Sequence, residues 1–349
     1  MNLKAYAGHK RVCIIGHKGY IGSTLYNVLK SSDVHVTIFD DLNINSCRDV
    51  EEVFLPSTRR GAKKFDVIFW LASADLSSIP SNMKEKDIDS LIRERGVNCD
   101  SLLYLYKALK GETPTIVFTS STNVYGDIPH QIVSEDTIEN PQTLWQAHKI
   151  LSENYINTLF PNSICLRIPN IYGIIPYRSK QLYNKSNPYP FGKLPGKWED
   201  EGISVDEQLL NTNTYFRPVV NKIIRLGIED EKLTLYKNKL CFRDYLHIYD
   251  LINALVFAGL QKSTEKRYYT LGCGSRSTIE DVWKIISEYL GGIPIEYNDK
   301  ALSDMETRSF TSDYTKFKDL TGWNPKYTLR FGIKESIEQI KKVLNDSTF

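Results

Sequence analysis

Three glycines, Gly16, Gly19 and Gly22, follow the apolar run Val12 to Ile15 at the spacing G-x-x-G-x-x-G, and Asp40 closes the next apolar run, Val34 to Phe39. Each of these has a physical job if the chemistry is the holding of a dinucleotide. Gly16 lets the chain turn sharply off a strand. Gly19 has no Cβ, so a pyrophosphate can approach the backbone. Gly22 lets the following helix pack close to the sheet, and that helix offers free N–H groups and a positive dipole end to phosphates. Asp40 can accept from the adenosine ribose hydroxyls, and its charge repels a 2′-phosphate, which favours NAD over NADP. A second group of residues could do chemistry on whatever the dinucleotide meets. Ser121 lies just past the apolar run Thr115 to Thr119, and Asn170 just past Ile164 to Ile168. Trp145 and Lys149 are four apart and share one helix face. Asn98 lies in a long helical stretch. Taken singly, a Ser at such a turn is ordinarily a local cap and a Lys on a helix is ordinarily solvated. What sets these apart is their common place, at strand ends on one edge.

Those positions require a scaffold that the rest of the pattern supplies. The first apolar run reads as a strand, and Leu25, Val28 and Leu29 recur at helical spacing after it. A turn at Asp41 to Asn43 and a short helix around Val50, Val53 and Phe54 come next. Asp66 to Leu71 is a third buried strand, ending at the small residues Ala72, Ser73 and Ala74. Helical stretches from about Lys84 to Lys110 and from Leu144 to Leu159 separate it from the strands at 115–119 and 164–168. Strands alternating with helices predict βαβ units in a parallel sheet covered on both faces. The fold class expected is α/β, a Rossmann-type doubly wound sheet over 1–170, with further contributions from about 214–260. Residues 171–349 form mainly a smaller α/β substrate-binding region. Its first part, 175–213, is rich in Pro, Tyr, Asn, Lys and Gly and shows little periodicity. A loop that long is ordinarily functional or mobile. Helices near 219–226, 251–260 and 279–290 and strands near 233–236 and 268–271 follow, and the end is mostly helical. Leu102, Leu103, Tyr104, Leu105 and Tyr106 are consecutive, so that helix is apolar on more than one face and needs cover on both sides. A homodimer is expected.

Composition narrows the partners. The net charge is +2 from 44 basic and 42 acidic residues. That balance gives no support for nucleic acid or a membrane surface as partner. No apolar run approaches a membrane span, and the N-terminus lacks an apolar signal core. The six cysteines are scattered without a C-x-x-C pair. They read as small core residues of a cytoplasmic protein. The histidines show no metal-ligand spacing.

The chain resembles the extended short-chain dehydrogenase/reductase superfamily, in its NAD-dependent nucleotide-sugar epimerase and dehydratase branch, from about Arg11 to about Ile340. Gly16-His17-Lys18-Gly19-Tyr20-Ile21-Gly22 is similar to that family's G-x-x-G-(Y/F)-(I/L)-G loop, which implies cofactor contacts at Tyr20 and Ile21. Trp70-Leu71-Ala72-Ser73 resembles its H-L-A-A strand end, so Leu71 and Ala72 are expected beside the cofactor. Asn98 matches a structural and proton-relay Asn. Ser121 to Gly126 is similar to S-(A/S)-x-x-V-Y-G, whose first residue touches the reacting sugar hydroxyl. Pro141 to Lys149 falls on P-x-x-x-Y-x-x-x-K. Arg167-Ile168-Pro169-Asn170-Ile171-Tyr172-Gly173 looks like R-x-x-N-x-Y-G, which implies Pro169 at the cofactor and Asn170 at the substrate phosphate. Arg243, in a segment similar to R-D-Y-I-H, and Arg308 match the arginines on the substrate diphosphate. Gly322-Trp323-Asn324-Pro325 resembles the closing L-G-W-x-P.

Two departures bear on activity. The family's catalytic Tyr is here Trp145, and an indole N–H is a donor only, so it cannot take a proton. The Asp-Glu pair of the 4,6-dehydratases is replaced by Thr122 and Asn123, which counts against a dehydratase. The expectation is an NAD-dependent enzyme acting on a nucleoside-diphosphate sugar, epimerase- or dehydrogenase-like, with Ser121 and Lys149 in the site. The base is then Ser121, His148, or a Tyr of the long loop such as Tyr177 or Tyr183. The competing expectation is a non-catalytic homologue that binds NAD and a nucleotide sugar as a regulatory or scaffolding subunit.

Overall fold

Alternate residues of the first strand face different cores, because successive side chains in a strand point to opposite sides. The computed structural model describes residues 10–30, 34–39, 65–74, 85–128, 131–173, 218–236, 241–260, 268–298 and 309–346. In chain order the first half forms β1 (Val12–Ile15), α1 (Tyr20–Lys30), β2 (Val36–Phe39), β3 (Val67–Trp70), α2 (Glu85–Arg95), a π turn (Gly96–Asp100), α3 (Ser101–Leu109), β4 (Thr115–Ser121), a 3₁₀ turn (Thr122–Tyr125), β5 (Gln131–Val133), α4 (Leu144–Leu159), β6 (Ser163–Ile168) and β7 (Asn170–Tyr172). The second half adds α5 (Val219–Ile228), β8 (Leu233–Tyr236), β9 (Phe242–Arg243), β10 (Tyr245–His247), α6 (Ile248–Leu260), β11 (Tyr268–Thr270), β12 (Ser277–Thr278), α7 (Ile279–Leu290), β13 (Ile295–Asn298), β14 (Phe310–Ser312), α8 (Thr315–Thr321) and α9 (Leu329–Asp346).

Six of the strands make one parallel sheet in the order β11-β6-β4-β3-β1-β2. This is the doubly wound Rossmann-type arrangement that the alternating runs predict. Val12 pairs with both Val36 and Val67, so β1 lies between β2 and β3. The chain moves one way from β1 to β2 and the other way from β3 onward. The switch therefore falls between β1 and β3, where an open parallel sheet offers its crevice. On one face Val12 and Ile14 pack with Leu25 and Leu29 of α1 and Leu251 and Leu255 of α6. On the other, Cys13 and Ile15 pack with Leu102 and Leu105 of α3 and Ile156 of α4. Cys13, Cys99 and Cys165 are buried as core residues. A third cluster joins Val220, Ile223 and Ile224 of α5 to Val282 and Ile286 of α7 and Ile333 and Ile337 of α9. Among the described residues no helix is long and apolar enough to cross a membrane.

Two features differ from the expectation. The single helix expected from about 84 to 110 is, over the described residues, two α-helices joined by the π turn at Gly96–Asp100. The strands β5, β7, β9, β10, β12 and β14 are two or three residues each, too short to carry a readable alternation. Asp40, Arg308, Tyr177, Tyr183, the short helix near Val50 and the 175–213 loop lie outside the described residues.

Candidate active site

The glycine turn is shaped by the backbone it meets. Gly16 has φ +91, and a Cβ there would lie 2.5 Å from Ala72 N. A Cβ on Gly22 would lie 2.1 Å from Gly16 O. Both positions exclude any side chain, one for want of room beside β3 and one beside the loop itself. Gly19 is different. It is exposed, and its nearest neighbour to a would-be Cβ is Gly16 O at 3.4 Å. Its missing side chain thus leaves open backbone in front of the N-terminus of α1. The Leu71 N–H donates to Ile15 O (2.9 Å) and the Gly16 N–H to Phe39 O (2.9 Å), which ties the ends of β1, β2 and β3 together at this point.

Ser121 ends β4, one strand further along. Its Oγ accepts from the Asn123 N–H at 3.1 Å and caps the 3₁₀ turn. The local cap is therefore real, and it uses an acceptor position while leaving the hydroxyl proton to be donated elsewhere. The turn is held from behind. The Tyr125 hydroxyl meets Thr270 Oγ1 at 2.7 Å, and the Arg167 guanidinium lies over the Tyr125 and Tyr268 rings at 5.0 and 4.2 Å. Arg167 donates to Glu153 (3.0 and 2.6 Å) and Glu139 (2.6 Å). Burial alone would lower its pKa, but the bonds to Glu153 and that carboxylate's charge outweigh it and hold the guanidinium charged.

Helix α4 presents the next residues. It opens with a capping box in which Thr143 Oγ1 accepts from the Gln146 N–H (3.2 Å) and Gln146 Oε1 accepts from the Thr143 N–H (3.1 Å). This fixes the first turn, and Trp145 and Lys149 come to one face. Lys149 is buried. Its Nζ donates to Thr119 O at 2.9 Å and lies 5.0 Å from the Phe118 ring centre and 5.6 Å from that of Trp145. The ammonium thus sits between two aromatic faces, each of which attracts it. The Trp145 Nε1–H donates to Ser73 Oγ at 3.2 Å. Because the indole can only donate, the Ser73 hydroxyl proton is directed onward, to Asn98 Oδ1 at 3.3 Å. Asn98 also accepts from the Ala74 N–H (2.9 Å) and donates to Ala74 O (2.8 Å). The π turn is what aims this amide at the strand end, and the Asn98 backbone carbonyl accepts from Ser152 Oγ of α4 at 2.6 Å. His148, three residues after Trp145 on α4, pairs through Nδ1 with the buried Glu94 Oε1 at 3.1 Å.

The second half of the chain closes the same edge. Asn170 opens β7, exposed, and pairs across the strand with Tyr245 of β10. Arg243 lies two residues before Tyr245, half-buried, its Nη1–H donating to Phe242 O at 3.0 Å. Pro169 is buried between β6 and β7, and Tyr20, Ile21, Leu71 and Ala72 are half-buried around the glycine turn. The structure thus brings Gly16, Gly19, Gly22, Leu71, Ala72, Asn98, Ser121, Trp145 and Lys149 to the carboxyl ends of β1, β3 and β4. Sequence reasoning passed over two residues that position these. In the sequence Ser73 reads only as a small residue at a strand end. Asp244 is buried and accepts from the Cys273 (3.2 Å), Gly274 (3.2 Å) and Ser312 (3.1 Å) N–H groups, which anchors the backbone beside Arg243. The T-x-x-Q spacing of the capping box was a readable signal; nothing local marked the Asp244 contacts.

A family model, the NAD-dependent epimerase/dehydratase family, matches residues 12–188. The chain belongs to this family. As a member of the NAD-dependent epimerase/dehydratase family it takes NAD as its cofactor. It is similar along most of its length to the UDP-glucose 4-epimerase of Lactobacillus helveticus, 23% identical over 338 residues, covering 91% of this chain and 92% of that protein. The UDP-arabinose 4-epimerase 1 of Arabidopsis thaliana is 23% identical, covering 95% of this chain and 78% of that protein. Among solved structures, MoeE5 in complex with UDP-glucose and NAD superposes with a TM-score of 0.69 at 19% identity, over 96% of this chain and 99% of that one. The Thermotoga maritima UDP-glucose 4-epimerase with UDP-glucose gives 0.68 at 20% identity, over 96% of this chain and 99% of that one. At these identities the structural likeness shows the fold.

Proposed function

We propose that this family member is an NAD-dependent enzyme acting on a nucleoside-diphosphate sugar, moving a hydride between a sugar carbon and the nicotinamide. The observation that carries the reading is the open backbone at Gly19 on the same sheet edge as Ser121 and Lys149. The glycine turn suits the pyrophosphate, with the first N–H groups of α1, at Tyr20, Ile21 and Gly22, facing it. Asp40 takes the adenosine ribose, and Leu71, Ala72, Asn98 and Pro169 bound the cofactor cleft. When bound, NAD supplies the hydride acceptor. Lys149 then holds the nicotinamide ribose with an ammonium already desolvated. Ser121 donates its free hydroxyl proton to the sugar oxygen that must be oriented. Asn170, Arg243 and Arg308 take the diphosphate, and Arg suits this because its planar fork pairs with phosphate oxygens.

The base is the unusual part. His148 is held through Nδ1 by Glu94 at 3.1 Å, which orients its ring. The candidates are Ser121, His148 and a phenol such as that of Tyr177 or Tyr183. A panel of nucleotide sugars, followed by NADH absorbance and product stereochemistry, tests the proposal. Turnover of one panel member is expected, with slow turnover of UDP-glucose because the phenol is missing. No turnover of any member, with NAD and nucleotide both bound, favours the second reading, a non-catalytic binding homologue. The commitment of the Trp145 N–H to Ser73 is the observation behind that reading.

A further inference from the structure

Tyr20 belongs to the glycine turn by its backbone and to a different part of the molecule by its side chain. Its hydroxyl donates to Gly173 O at 2.5 Å, across 153 residues of chain. Gly173 directly follows β7, three residues after Asn170. It is tightly seated. Its φ is +100, and a Cβ there would lie 2.2 Å from His247 Nε2. Its N–H donates to Asn221 Oδ1 at 2.8 Å, and Asn221 Nδ2–H donates back to Gly173 O at 3.3 Å. Asn221 is fully buried on α5. β7 in turn pairs with β10, Asn170 opposite Tyr245, two residues past Arg243. One hydroxyl therefore links the turn read as the cofactor cradle to the strand that carries Asn170 and pairs with β10.

We propose that Tyr20 is a positioning residue that couples the two ligands, so that NAD and the nucleotide diphosphate bind with positive cooperativity. The inference rests on the functional reading above. A ligand that fixes the backbone of the glycine turn fixes the Tyr20 ring, and the ring fixes Gly173 and the strand before it. A second ligand at Asn170 and Arg243 then has less ordering left to do. Coupling of this kind is reciprocal, so each ligand must tighten the other by one factor. Tyr20→Phe isolates the bond well. The ring keeps its packing, and Gly173 O keeps Asn221 Nδ2–H as a donor.

The test titrates full-length protein, stripped of nucleotide, with whichever of UDP, GDP and dTDP binds tightest, without and with saturating NAD⁺. In the wild type the nucleotide affinity should rise roughly five- to tenfold with NAD⁺, at the lower end of ordinary coupling. The NAD⁺ affinity should rise by the same factor with the nucleotide. In Tyr20→Phe the ratio should fall to within about twofold of unity. A ratio that survives in Tyr20→Phe overturns the proposal. So does a variant that weakens both ligands equally with the ratio intact, because that is a purely structural role. A wild type that binds both ligands with a ratio of one overturns the coupling and leaves the functional reading standing. A wild type that binds neither defeats that reading and the coupling with it.

Discussion

At the scale of single residues, Trp145 decides more than its neighbours. Its N–H is spent on Ser73 and its ring on the Lys149 ammonium, so in the proposed site it is a wall and not a proton carrier. If the site is remodelled for its own sugar, as proposed, Trp145→Tyr removes that wall and should lower turnover of the true substrate by about ten- to a hundredfold, the range a misplaced reactant costs. A rise in kcat instead, toward the ~10²–10⁴ that a positioned base contributes, means the base was lost and the indole is only its replacement. His247 offers a second measurement. Its Nδ1 accepts from the Tyr249 N–H at 3.2 Å, so the proton of the neutral ring sits on Nε2. Burial pushes the imidazole down to about 3. Between that value and about 6.5 the unfolded chain binds a proton that the folded chain does not, so stability falls as pH falls through this window. The contribution of this ring is about 1.4 kcal/mol per pH unit. Urea unfolding between pH 4 and 6.5 should show the slope in wild type and its loss in His247→Gln; an unchanged slope removes His247 as its source.

At the scale of elements, the longest helical stretch was legible and its interruption was not. Leu102, Leu105 and Leu109 keep helical spacing and are buried in the core, so the pattern across 84–110 reads as a single helix. The π turn leaves no trace in such a pattern, because the buried leucines all lie after it while Ile88 and Ile92 before it are exposed. Yet that turn puts the Asn98 amide on Ala74 and, through Ser73, holds Trp145. Asn98→Ala leaves the Ala74 N–H and C=O without this partner and should cost about 1–3 kcal/mol in urea unfolding. A cost below about 0.5 kcal/mol would mean the amide is dispensable, since ordinary surface changes fall in that range. The glycine turn was readable because its three positions answer to sterics that act within a few residues. Ser121 and Lys149 were readable as strand-end and helix-face positions. The Ser73–Trp145 bond was not, since it joins segments 72 residues apart through a third. The hub at Asp244 was hidden for the same reason: its donors come from 273–274 and 311–312.

At the scale of the molecule, the helices on one face of the sheet leave apolar side chains outward. Ile88 and Ile92 of α2, Leu103 and Tyr106 of α3, and Leu151 of α4 are exposed, while Leu102 and Leu105 of the same run fill the core. We propose a homodimer across this surface, because an exposed patch of this kind ordinarily marks an interface. Light scattering at micromolar concentration should give twice the chain mass, and Leu103→Glu with Ile92→Glu should halve it; a wild-type monomer refutes the assignment. The sheet itself carries a different consequence. Its β11 edge comes from Tyr268–Thr270, about a hundred residues after its neighbour β6, and α6, which covers one face, comes from Ile248–Leu260. A ribosome must therefore release nearly four-fifths of the chain before the sheet has both its last strand and its cover. Until then Cys165, Leu166 and Arg167 present an unpaired edge below a bare apolar face, the kind of surface that joins strangers. The growing chain is thus most in need of a chaperone in the interval between the synthesis of β6 and that of β11.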